Sequence, residues 1–180
     1  MYSKSYIKQL RSLHTDSSRP QGFGGKPKKL GKFHTWMDAW KPSSLLDYGC
    51  GKGHVLADIR DQYKNTLCEG YDPAVKLFEG LPNKTYDCVF SNDVLEHIEP
   101  NYVEEVLEHI NSLANKYIWL RIDTLPARKT LPDGRNAHIT LESSDWWLEK
   151  INKCIAGEVV YDELTSKGKY DVAIEKINPR

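Results

Sequence analysis

Between Ser44 and Gly53 a short apolar run, Ser44-Leu45-Leu46, ends in Asp47 and passes through Tyr48 into glycines at alternate positions, Gly49, Gly51 and Gly53. Behind them Val55, Leu56 and Ile59 recur at helical spacing. A strand that turns through glycines into a helix is the opening unit of an α/β sheet, and it restricts the fold more than any other stretch. Glycine has no Cβ, so such a loop brings bare backbone N–H groups up to a ligand. A dinucleotide fingerprint requires G-x-G-x-x-G. Here the third glycine comes one residue early and His54 takes its place.

Downstream the pattern alternates. Thr66 to Tyr71 reads as a strand ending at Asp72, and Ala74 to Phe78 as a short helix at most. Tyr86 to Ser91 is a strand. Pro100 stands where a first helical residue belongs, ahead of the stripe Val103, Val106, Leu107, Ile110 and Ala114. Tyr117 to Ile122 is a strand and Leu125 to Ile139 a loop. Ser144 is expected to cap a helix over Asp145 to Ile155, with Trp147, Leu148 and Ile151 inward. Val159 to Leu164 and Tyr170 to Ile174 are strands joined at Lys167-Gly168. The alternation predicts a Rossmann-like, doubly wound, mostly parallel α/β sheet with helices on both faces and a final antiparallel hairpin.

Two helical faces precede this domain, one of Tyr2, Tyr6, Leu10 and Leu13, the other of Leu30, Phe33, Met37 and Trp40. Residues 1–40 are therefore expected to form a cap and loop, and residues 41–180 the catalytic-type domain. Between the faces, Thr15 to Lys29 is rich in Gly, Pro and basic residues. It reads as a solvated connector or as a lid carrying Phe23 and Lys26.

At 180 residues the chain has the length of one domain with a substantial core. Its 25 basic and 25 acidic residues cancel, so no global field draws it to nucleic acid or a membrane, though a local patch can. No apolar run is long enough for a bilayer, and Met1 to Tyr6 has no signal-peptide core, so a cytoplasmic location is expected. Cys50, Cys68, Cys88 and Cys154 are widely spaced, without a C-x-x-C pair, and read as free thiols.

Acid-x-Gly-x-Gly-x-Gly at the end of a first strand resembles the cofactor loop of class I S-adenosylmethionine-dependent methyltransferases. The terminal hairpin resembles that family too, and the likeness covers roughly residues 42–178. It implies that S-adenosylmethionine is bound by Asp47, Gly49, Cys50, Gly51, Asp72, Pro73, Asn92 and Asp93. Asp72 is placed to meet a ribose diol; before Pro73 it is also an ordinary turn former. Asp87 begins a strand and reads as structural. Only 14 residues lie between Asp72 and Asp87, too few for the helix, third strand and connection usual in the family. The third strand is expected to be short or missing.

The run Asp93-Val94-Leu95-Glu96-His97-Ile98 is a candidate second site. If it is helical, Asp93, Glu96 and His97 share a face. Two readings stand, a divalent-metal half-site or a brace for the loop, since many family members carry a similar run without metal. The run is similar to that of metal-dependent small-RNA 3′-terminal 2′-O-methyltransferases and ubiquinone-pathway O-methyltransferases. In the RNA enzymes a further His completes the site, and Arg135 to Ile139 followed by Trp146-Trp147 is similar in placement. The implied metal ligands are Asp93, Glu96, His97 and His138, with Mn²⁺ or Mg²⁺ as the ion. Without metal, His138 or His97, with Glu96, would serve acid–base chemistry. Trp146 reads as core or as a substrate-stacking face, and His14, His34, His54 and His109 as non-catalytic, His109 on the polar side of its helix.

The resulting expectation is a methyltransferase acting on an oxygen of a small molecule, glycan or RNA end. No Asn/Asp-Pro-Pro-Tyr/Phe run and no Pro-Cys nucleophile follows the fourth-strand position, which disfavours DNA amino or cytosine C5 methylation. Two alternatives remain, an inactive cofactor-binding subunit that braces a partner, and a nicotinamide-dependent oxidoreductase, which the glycine spacing disfavours.

Overall fold

The computed structural model describes residues 1–15 and 30–177. The expected connector or lid, with Phe23 and Lys26, falls almost wholly outside the described residues. Strand β1 (Ser44–Tyr48) lies inside the sheet, so its apolar run is continuous rather than alternating. It pairs in parallel with β2 (Leu67–Tyr71) on one side and β3 (Tyr86–Asn92) on the other. Strand β4 (Ala114–Asp123) continues in parallel beside β3. The hairpin of β5 (Gly157–Leu164) and β6 (Lys169–Lys176) inserts β6 antiparallel against β4 and leaves β5 at the edge, giving the order β2-β1-β3-β4-β6-β5. The sheet is the expected one, mostly parallel with an antiparallel hairpin. No strand forms between β2 and β3; residues 73–78 make turns instead, so the third strand is missing.

Successive strand residues point to opposite faces, and each face has its own core. Leu46, Val89, Ile118 and Leu120 meet α4 (Val103–Leu113) and α5 (Ser144–Cys154) through Val106, Leu107, Ile110, Trp147 and Ile151. Leu45, Cys88, Phe90 and Trp119 meet α2 (Phe33–Trp40) and α3 (His54–Gln62) through Phe33, Met37, Trp40, Leu56 and Ile59. Phe33 and Phe90 pack with tilted rings at 4.3 Å between centroids, and Trp40 lies flat on Tyr117 at 4.6 Å. Helix α1 (Lys4–Thr15) stands apart from both cores. Its Tyr6 and Leu13 are buried against Leu131 and Ala137 in the loop after β4.

Two boundaries differ from the sequence expectation. Ser143, not Ser144, caps α5, its Oγ accepting the Trp146 N–H at 3.2 Å. Ala114, read as the last residue of the α4 stripe, is the first of β4, because the chain turns directly from helix into strand at Leu113.

Candidate active site

A cavity of about 920 Å³ opens at the carboxyl ends of β1, β2, β3 and β4. This is where a doubly wound sheet binds ligands, at the point where strand order reverses on either side of β1. One end is built by the glycine loop. Gly49, Gly51 and Gly53 all have positive φ, at 84°, 54° and 78°. A Cβ on Gly49 would fall 2.3 Å from a Val94 methyl, so only glycine lets the loop lie under that side chain.

Four of the loop's amides are used internally. Gly49 N–H and Cys50 N–H donate to the Tyr71 carbonyl at 2.7 and 3.1 Å, Gly53 N–H to the Cys50 carbonyl, and Gly51 N–H to Asp72 Oδ2 at 2.9 Å. For these four amides the expectation of bare N–H groups facing a ligand is corrected. With these four donors used internally, that part of the loop is a close-approach surface.

Asp72 holds both the turn and the glycine loop. Oδ1 accepts the Ala74 N–H at 2.8 Å, holding the turn after Pro73, while Oδ2 pins the loop. Each oxygen keeps a further lone pair, and Asp72 lines the cavity. Asp47 is 3 % exposed, and its Oδ2 has no partner among the described residues. Burial, then the neighbouring Asp72, pushes its pKa up to about 8. Cys50, Asn92 and Pro73 also line the cavity. Asp87 lies away from it, bound to Ser43 and Lys116.

The other end holds the acid–histidine group. The run from Asp93 is not an α-helix: Asp93 takes a φ of 55°, and Leu95–His97 form a single 3-10 turn. Asp93 is engaged by Lys169, its Oδ1 accepting from Lys169 Nζ at 2.7 Å, and it stays near enough for its charge to act on Glu96 and His97 without joining their group. The expected convergence of Asp93, Glu96 and His97 on a helical face is thus corrected. Glu96, His97 and His138 do come together, with one potential ligand atom from each within 4.8 Å of the others.

Both imidazoles are oriented by backbone. His97 Nδ1 donates to the Ala137 carbonyl at 2.6 Å and His138 Nδ1 to the Leu125 carbonyl at 2.5 Å. A carbonyl can only accept, so in each ring Nδ1 carries a proton, and in the neutral ring the lone pair is on Nε2. His138 Nε2 stands 4.0 Å from Glu96 Oε1, which also accepts the Asp123 N–H, and Glu96 Oε2 is buried with no partner among the described residues. Burial, then Asp93, holds the Glu96 carboxyl well above the usual range. Burial, then His138, pushes His97 down to about 4.

Residues 26–172 match a family described as a methyltransferase domain. The chain belongs to that family. No curated protein matches the sequence. Among solved structures, the chain is similar to the 1,6-didemethyltoxoflavin-N1-methyltransferase of Burkholderia thailandensis, solved with its acceptor and S-adenosylhomocysteine. The TM-score is 0.63 at 14% identity, covering 97% of this chain and 90% of that one. The magnesium protoporphyrin IX methyltransferase of Synechocystis PCC 6803, solved with S-adenosylmethionine, gives a TM-score of 0.62 at 16% identity, covering 96% and 97%. An O-methyltransferase family protein from Burkholderia thailandensis gives 0.60 at 16% identity over 82% of this chain, which spans only 53% of that protein's length. At such identities the likeness is one of fold, and it is the fold of the class I methyltransferases that the glycine loop resembles.

The cavity also includes residues the sequence did not mark. The N-terminal segment lies over it, with Met1 and Tyr2, and Leu10 and His14 of helix α1, in its wall. Tyr6 OH donates to the His97 carbonyl at 2.6 Å, so α1 holds the turn carrying the acid–histidine group. Lys169 bonds Asp123 as well as Asp93. These contacts join residues 46 to 91 positions apart, beyond the reach of local pattern. Trp146 packs against the α4 side core and does not line the cavity, so the stacking idea for it fails. His109 is half-buried rather than on a polar face, its Nδ1 2.9 Å from Tyr48 OH.

Proposed function

We propose that this methyltransferase binds S-adenosylmethionine along the glycine loop, Asp72-Pro73 and Asn92-Asp93, and transfers the methyl to an oxygen of a small molecule, glycan or RNA end. The acceptor hydroxyl is handled at Glu96, His97 and His138 with a divalent cation. In this reading α1 is the working part of the cap expected of residues 1–40. The residues fit the cofactor: the bare Cα of Gly49 allows close approach, and Asp72 keeps lone pairs for a diol.

One observation carries the metal reading. Two imidazoles with Nδ1–H tied to carbonyls and a buried carboxylate oxygen lacking a partner are grouped within 4.8 Å. Such outer hydrogen bonds fix the tautomer that ligates metal. A His97 pKa near 4 makes that ring a poor proton acceptor at neutral pH but leaves it neutral for ligation. A divalent cation held there supplies Lewis acidity that lowers the pKa of an acceptor hydroxyl, and mixed N/O donors suit Mn²⁺. The sulfonium brings an already activated methyl, so the chain's task is to orient the two reactants in line.

The test is isotope-labelled methyl transfer to fractionated metabolites, RNA and protein, with Mn²⁺ or with EDTA, alongside thermal unfolding. Mn²⁺ at a hundredfold its Kd should stabilise the protein by about 2.7 kcal/mol, and His138→Ala should abolish that gain. If EDTA leaves transfer unchanged and His97→Ala turns over normally, the metal reading is wrong.

A further inference from the structure

The far wall of the cavity comes from two segments that the fold ties together. Thr124 N–H and Oγ1–H both donate to the Gly168 carbonyl, at 2.8 and 2.9 Å. Leu125 covers the bare Cα of Gly168, where a Cβ would fall 2.3 Å from the Leu125 Cγ. The loop after β4 and the turn between β5 and β6 are thus one surface. It places Arg128 and Lys129 from the loop, and Lys167 from the turn, in the wall of the same cavity.

Lys169, the neighbouring cation, is neutralised by Asp93 and Asp123 at 2.7 and 2.6 Å. Among the described residues no ion pair neutralises Arg128 or Lys167. The same loop returns through His138, whose Nδ1–H reaches the Leu125 carbonyl three residues before Arg128. A cationic rim therefore faces the cavity beside the acid–histidine group.

We infer that the acceptor is a small anionic molecule, whose carboxylate or phosphate is bound by Arg128 and Lys167 while its hydroxyl lies at His97 and His138. The inference rests on the methyltransferase reading above. A guanidinium matches the two oxygens of a carboxylate or phosphate in a fork, and an ammonium adds a point charge from the other segment. Both side chains are exposed at the rim, where a concave surface focuses their field on an approaching anion.

Calorimetric titration of S-adenosylhomocysteine, run first, tests the cofactor reading by itself. Uniformly ¹⁵N-labelled full chain, with S-adenosylhomocysteine present, is then titrated with phenyl phosphate, benzoate and neutral benzamide in separate arms, whatever the calorimetry gives. Saturable amide shifts within residues 125–129 and 167–169 are expected for an anion and not for benzamide. The tighter of the two anions identifies the group. The R128Q/K167Q double variant should bind that anion about tenfold more weakly or worse, with its S-adenosylhomocysteine affinity unchanged. Equal shifts from benzamide, no saturable shift from either anion, or undiminished binding by the double variant overturns the inference.

Discussion

Asp47 ends the apolar run of β1 with its carboxyl buried and one oxygen without a partner among the described residues. Its pKa rises from 3.8 to about 8 on folding. Between those values the folded chain holds a proton that the unfolded chain has released, so stability falls as pH rises through that window. Below it both states are protonated and the penalty vanishes; above it both are ionised and the penalty is complete. Asp47→Asn removes the ionisation while keeping the shape. Its unfolding temperature relative to wild type should therefore climb steadily from pH 5 to pH 8 in ligand-free protein, and a pH-independent difference would show that Asp47 does not titrate in this way. At this scale the loop was legible, because Asp47, the glycines and Asp72 act through neighbours in sequence or across one strand pair. Asp93 was not. Its role depends on a single left-handed φ of 55° and on Lys169, which β6 delivers from 76 residues away.

Helix α1 shows what periodicity reveals and what it hides. The face of Tyr6, Leu10 and Leu13 was visible as a stripe, but what it covers could not be read from the stripe. Polar contacts at both ends fix it over the cavity: Ser3 N–H and Oγ–H donate to Glu99, Tyr6 OH to the His97 carbonyl, and Arg11 to the Pro73 carbonyl and Glu79. Tyr6→Phe deletes one such bond without altering the ring, at a cost of about 1 kcal/mol. That is roughly a fivefold rise in the open population. Tryptic cleavage after Lys8 and Arg11, which follows that population when closing is fast, should accelerate by a similar factor while α4 stays resistant. Unchanged cleavage would mean that α1 is held by its apolar face alone. The missing strand between β2 and β3, by contrast, was legible by counting, since 14 residues cannot hold a helix, a strand and two connections. The misplaced cap of α5 has a simple cause. Ser143 and Ser144 are adjacent and chemically equal, and only the backbone, extended at Ser143 with a ψ of 161°, decides between them.

Across the whole molecule, stability is layered outward from β1, β3 and β4. These strands are paired on both sides and buried between two cores, whereas β2 and β5 are each paired on one side. Native-state hydrogen exchange should accordingly place the slowest amides in β1, β3 and β4, with β5 and α1 opening at lower free energy; equal protection in β5 and β3 would contradict that order. The fold class was readable because alternation of strand and helix leaves few topologies, and the hairpin's insertion beside β4 accords with the family it resembled. The shape of the cavity was not, since the loop after β4 and the β5–β6 turn meet through backbone contacts with no sequence signature.

Shortening the sheet also bears on how copies of the chain behave toward one another. With the third strand gone, β2 is a terminal strand, and the formal charges of the chain sum to zero, a combination that invites strand-to-strand pairing between molecules. Both rims counter it locally. β2 is only five residues long and carries Glu69, bound to Lys84 and Tyr86. β5 exposes Glu158, Asp162 and Glu163 along its length, so two such rims repel when they meet. Resistance to aggregation is thus written into the two edges of the sheet rather than into net charge, and neutralising the acids of β5 is the change to which solubility is most exposed.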